Sequence, residues 1–169
     1  YERWLARTHP EVRRQWGPEH ALPAPGFVLT EHHQAWRTRV PEECSTTAYL
    51  GDQTIRQLRE HAAGKQPFFI QCSFPDPHHP FTPHGKYWSM YRPEDVALPH
   101  SFHASAAPDH RPAPHVAWLY WQRDQRKAVK HTPAIFACTE REAREAIALN
   151  YGSISHIDAT IGRVLQTLR

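Results

Sequence analysis

Glycine is scarce in this 169-residue chain, with 7 in all, and there is a single methionine. Few positions are therefore free to adopt left-handed backbone, and a loop-rich fold built on glycine turns is excluded. No apolar run approaches the roughly 18 residues that a membrane-spanning helix requires. No leader-like segment opens the chain, which starts at Tyr1 rather than methionine, so a native N-terminus lies upstream in this reading. The net charge is only +3 and the basic residues are scattered, which argues against a nucleic-acid partner, since that needs a basic stripe or patch. Three cysteines, Cys44, Cys72 and Cys138, cannot all pair and have no metal-ligand spacing. They point towards a reducing compartment without fixing one.

Proline and histidine are abundant. Ten of the 16 prolines and eight of the 14 histidines fall between Pro75 and Pro133, which predicts a long irregular region there. Ahead of it stands Phe68-Phe-Ile70, continuing through Cys72 to Phe74, short, aromatic and bounded by Pro67 and Pro75. That run reads as a buried strand over 68–73, with Cys72 a buried thiol. Directly after it, Asp76, His78 and His79 are set between prolines. Titratable groups at a strand's end are a candidate site in an α/β protein. On residue types alone, a rigid proline turn with two solvated histidines is the simpler account.

Two helices are predicted on either side. Ser45 or Thr46 can cap a helix over 46–63, with Leu50, Ile55, Leu58 and Ala62 on one face and Gly64 at its C-terminal end. Thr139 and Glu142 form a capping-box pattern ahead of a helix over 140–168. Its stripe is Ala143, Ile147, Tyr151, Ile154, Ile157 or Asp158, Ile161, Leu165 and Leu168, with Asn150 and Gly152 as possible bends. Asp158, beside that stripe, is expected to need a hydrogen-bond partner. Near the start, Trp4, Leu5, Val12 and Trp16 suggest a short amphipathic helix interrupted at Pro10, and Phe27–Thr30 a short strand. A short helix over Trp118–Lys130 is a further possibility. The expected fold class is α/β, with strand 68–73 buried between the helices at 46–63 and 140–168. A lone strand leaves its backbone groups unpaired, and the last helix has no stop signal, so the chain reads as a fragment.

Pro67-Phe-Phe-Ile70, then Asp76-Pro-His-His-Pro-Phe81, with Pro83 and Tyr87 after it, resembles the middle of a sulfatase. Tyr151, Ile154, Ile157-Asp158 and Ile161-Gly-Arg-Val-Leu165 are similar to a later helix of that family, which belongs to the alkaline-phosphatase-like superfamily. The resemblance implies a partial catalytic domain over 1–169: an irregular 1–42, a helix–strand unit over 43–74, a loop region over 75–139 and a long helix over 140–169. It implies a hydrolase acting on small-molecule or carbohydrate sulfate esters. A phosphonate monoester or phosphodiester hydrolase of the same superfamily is the alternative within the enzyme class.

The family's Cys/Ser-x-Pro-x-Arg nucleophile motif, whose Cys or Ser becomes formylglycine, is matched by none of Cys44, Cys72 or Cys138. Its metal aspartates and Gly-Lys-Trp-His segment have no match either. A divalent cation (calcium or magnesium) and formylglycine are thus expected of the complete enzyme, and neither of this chain's own residues. His78 alone carries over, onto the family's histidine at the sulfate group. His79 is a secondary candidate for substrate contact, because alternation along an extended chain would turn it the other way. A different class of function, a histidine-rich module binding a transition metal or a partner, is suggested by His100-x-x-His103 and by His110 and His115, with His32-His33 as an isolated pair.

Overall fold

The computed structural model describes residues 1–29, 35–103 and 139–169. Helix α1 spans Glu2–Thr8 and α2 spans Pro10–Arg13; Pro10 occupies the first turn of α2, where its missing N–H costs nothing. Leu5 is fully enclosed with Val40 and Cys44, and Tyr1, Trp4 and Val12 pack around them. The Tyr1 hydroxyl donates to the Cys44 carbonyl at 2.5 Å, and the Trp4 and Tyr49 rings lie 4.8 Å apart. This cluster fixes the N-terminal helices against the start of the helix that begins at Thr46.

Helix α3 covers Thr46–Ala62. Ser45 caps it, its hydroxyl accepting from the Ala48 N–H at 2.9 Å. It stops at Ala63 without using Gly64 in the left-handed region. Helix α4 covers Glu140–Thr167 and begins with the reciprocal Thr139–Glu142 capping box. Short 3₁₀ turns at Gly85–Ser89, Pro93–Asp95 and His100–His103 lead towards it. Among the described residues no helix is long and apolar enough to cross a membrane.

The expected α/β arrangement is not formed. Residues 67–75 form neither strand nor bridge, Phe69 is 89% exposed, Phe68 and Cys72 are exposed, and Phe68 merely lies beside the His61 ring. The described residues contain only two isolated bridges, Leu22 with Arg37 and Ala35 with Phe81, and 27–29 is likewise no strand. The physical reason lies in the helices. α3 and α4 pack directly on each other, so no slot is left between them for a strand. A Cβ on Gly51 would lie 2.3 Å from Thr160 Cγ2, and Asp52 pairs with Arg163 across the same contact.

The packing face of α4 also differs from the apolar stripe. Buried are Glu142, Ala143, Glu145, Leu149, Gly152, Ser153, His156 and Thr160, whereas Tyr151, Ile154, Ile161 and Leu165 are exposed. Asp158 is exposed too, so it needs no internal partner. Small side chains win the interface because backbone approaches α4 there. A Cβ on Gly152 would lie 2.2 Å from the Tyr87 carbonyl oxygen, an atom that cannot swing aside.

Glu145, 1% exposed, holds the 26–29 loop to α4. Its carboxylate accepts from the Val28 N–H at 2.9 Å and the Leu29 N–H at 2.8 Å, and Arg141 pairs with it at 3.2 Å. Arg141 also donates to the Gly26 carbonyl at 2.6 Å, where a φ of +87° requires glycine. Leu29 is thereby set into a core with Ala35, Trp88 and Leu149.

Gly152→Ala is expected to destabilise the fold by about 1–3 kcal/mol through overpacking, despite alanine's better helix propensity. Gly162→Ala, which meets nothing within 4 Å, should instead gain up to about 1 kcal/mol. Urea melts of the two variants against the parent check this opposition of sign. Glu145→Ala strands two loop N–H groups and should cost about 3 kcal/mol in the same assay.

Candidate functional site

The Pro75–Phe81 segment forms a turn, closed by the His78 N–H donating to the Pro75 carbonyl at 3.2 Å. Its Asp76–Pro77 and His79–Pro80 peptide bonds are cis. Two side chains from different helices fasten it. Thr47, fully buried in the first turn of α3, donates its hydroxyl to Asp76 Oδ2 at 2.8 Å. The carboxylate thus lies where the α3 dipole favours negative charge. From α4, Asn150 Nδ2 donates to the Pro77 carbonyl at 3.2 Å.

His78 is exposed, and His79 is partly covered. Their rings stack at 4.2 Å with 26° between planes, rather than pointing to opposite sides. Alternation fails because the chain is turned here and not extended. His78 Nδ1 lies 2.6 Å from the His79 carbonyl oxygen. A carbonyl can only accept, so Nδ1 carries the proton, and Nε2 is left without a protein partner among the described residues. The imidazole is oriented at one nitrogen and open at the other.

Beneath the turn lies a second group of rings that residue spacing did not reveal. His156 on α4 is 4% exposed and stacks on Tyr87 at 4.6 Å with 14° between planes. The His84 ring is 6.0 Å from that of His156. Burial pushes His84 down to about 4, and the neighbouring His156 adds to the effect. Burial likewise pushes His156 down to about 4, with Lys86 and Arg163 acting in the same sense and Asp76 opposing them. Both rings are neutral near pH 7.

Among the described residues no three His, Cys, Asp or Glu side chains converge to hold a metal ion. Cys44 is buried and Cys72 is a free, exposed thiol; neither lies in a nucleophile motif. Among the described residues the side chains assemble no site for a divalent cation, and neither Cys44 nor Cys72 stands in the motif that yields formylglycine. His32-His33, and Cys138, His110, His115 and the possible helix over Trp118–Lys130, lie outside the described residues. His100 and His103 form part of a 3₁₀ turn.

Removing one fastening should loosen the turn without dismantling the helices. Asn150→Ala is expected to raise hydrogen exchange at the His78 amide about fivefold, matching the roughly 1 kcal/mol net value of one such bond. Exchange at α3 amides should be unchanged.

No family model matches the chain. It is 30% identical to an arylsulfatase of Clostridium perfringens over 128 residues, covering 75% of this chain and 23% of that protein. It is 28% identical to the multifunctional alkaline phosphatase superfamily protein PehA of Trinickia caryophylli, over 99% of this chain and 32% of that protein. Identity to a choline-sulfatase of Rhizobium meliloti is 26%, over 72% and 22% respectively. The chain thus spans between about a fifth and a third of the length of these curated relatives. Over most of its length, its distant relatives are sulfatases and an alkaline-phosphatase-superfamily protein.

Proposed function

We propose that this chain is the central portion of a sulfatase-type hydrolase of sulfate esters, with His78 at the sulfuryl group. The observation that carries the hydrolase reading is the similarity to an arylsulfatase and a choline-sulfatase over about three quarters of the chain. Residues 1–169 then belong to one partial catalytic domain, and activity belongs to a longer polypeptide. A divalent cation and a formylglycine would supply charge and nucleophile from outside the described residues.

What this chain brings is a fixed imidazole. Cleavage of a sulfate ester places negative charge on the sulfuryl and leaving oxygens. A protonated His78, held through Nδ1 by the His79 carbonyl, presents an Nε2–H outward to such an oxygen. Thr47 and Asn150 set where that donor stands, through Asp76 and Pro77. The His79 ring supplies a stacking face, and its carbonyl supplies the acceptor. A phosphonate monoester or phosphodiester substrate is the second reading. It rests on the similarity, over 99% of the chain, to a multifunctional protein of the alkaline phosphatase superfamily.

In the complete polypeptide, His78→Ala is expected to lower kcat on an aryl sulfate by roughly 10²–10⁴. His79→Ala keeps the backbone acceptor and should lose only about tenfold. Far-UV circular dichroism should be unchanged in both. A His78→Ala enzyme within threefold of the parent would assign the role elsewhere. Comparison of kcat/KM for an aryl sulfate and an aryl phosphonate separates the two substrate classes. The isolated 169-residue chain should turn over neither above a boiled control.

A further inference from the structure

We infer that the His84–Tyr87–His156 stack is an acid-sensitive latch that holds the His78 turn against α4. Three observations carry this. Tyr87 and His156 stack nearly parallel at 4.6 Å, and the His84 ring, tilted by 58°, lies 6.0 Å from that of His156. The backbone bearing it is pressed onto the helix, since Gly152 admits the Tyr87 carbonyl only because it lacks a Cβ. The turn is joined to the same assembly at both ends, through Asn150 to Pro77 and through only four residues of chain between His79 and His84.

Among the described residues, the charged groups facing the rings are identifiable. Asp76 in the turn favours a protonated His156, while Lys86 in the 3₁₀ segment and Arg163 on α4 disfavour it. Glu42 and Glu43, ahead of α3, line the same cleft of about 200 Å³. When His84 and His156 both take up protons, two like charges face each other in a space with little water, beside two further cations. The closed stack then loses to an open one in which the rings are hydrated and repel less.

The direction in pH follows. Closed, the rings bind protons only near pH 4; open, they bind them near the ordinary 6.5. Between those values the open form holds more protons, so closure weakens as pH falls through the window. It weakens roughly tenfold per pH unit for each proton taken up, and levels off below about 4. Above 6.5 the latch is fully closed. The consequence is positional: acid releases Gly85–Ser89 from α4, and the His78 turn moves with it.

The test needs no catalysis, so it stands or falls independently of the sulfatase reading. Histidine ring signals of the intact 169-residue chain would be followed by NMR from pH 7.5 to 3.5, together with the His78 and His79 amides. The expected result is a joint transition below pH 6, in which His84 and His156 protonate as the turn amides shift. Ring protonation near pH 6.5 with stationary turn amides would overturn the proposal. A His84→Gln/His156→Gln chain retains Asp76, Glu42 and Glu43 and should lose the transition in that window. Its persistence at the same pH would assign it to the carboxylates and also overturn the latch. Should that double variant not fold, His156→Gln alone serves, with the midpoint expected at least one pH unit lower.

Discussion

Close approach of backbone to α4 is the constraint on which the other contacts depend. Gly51 on α3 and Gly152 on α4 leave room where any Cβ would collide, one with Thr160 and the other with the Tyr87 carbonyl. With these two clearances the helices meet directly and Gly85–Ser89 lies flat on α4. Thr47 and Asn150 then reach two adjacent residues of one short turn, Asp76 and Pro77. The interface is made of small and polar side chains, so shape governs it more than apolar area does. Buried polar groups within it are matched by partners, as Glu145 is by two backbone N–H groups and a guanidinium.

How far the sequence speaks depends on how local the determinant is. The capping box at Thr139–Glu142 and the cap at Ser45 involve residues three apart, and both were legible. So was the turn at Asp76–Pro80, because proline fixes φ without help from elsewhere. The fastenings of that turn were not, since Thr47 and Asn150 lie 29 and 73 positions from their partners. The buried face of α4 was misread for a different reason. Hydrophobic periodicity ranks Ile154 and Leu165 above His156 and Thr160, yet the helix buries the latter pair. The aromatic run at Phe68–Phe74 failed as a strand because a short apolar run reports suitability for a sheet, and pairing needs neighbours.

The candidate site divides into an exposed half and a dry half, and their chemistry differs accordingly. His78, open to solvent at Nε2, can meet a ligand without displacing protein atoms. His156 and Tyr87, packed against α4, stack on each other, with His84 and Lys86 beside them. Asp76 belongs to both halves: it is held by Thr47 and its field reaches His156. A change in charge below the turn is therefore felt at the turn.

The Glu145 clamp has a temporal side. Its carboxylate and the Val28 N–H it accepts from are separated by 117 positions. At about 5–20 residues per second of ribosomal synthesis, the 26–29 loop waits on the order of 6–24 s for its acceptor to be made. During that interval α1 and α2 can form from local contacts, while Leu29 lacks Trp88 for about the first half and Leu149 throughout. The nascent chain thus carries an apolar loop exposed until α4 emerges, and assembly around Leu29 is a late, long-range closure.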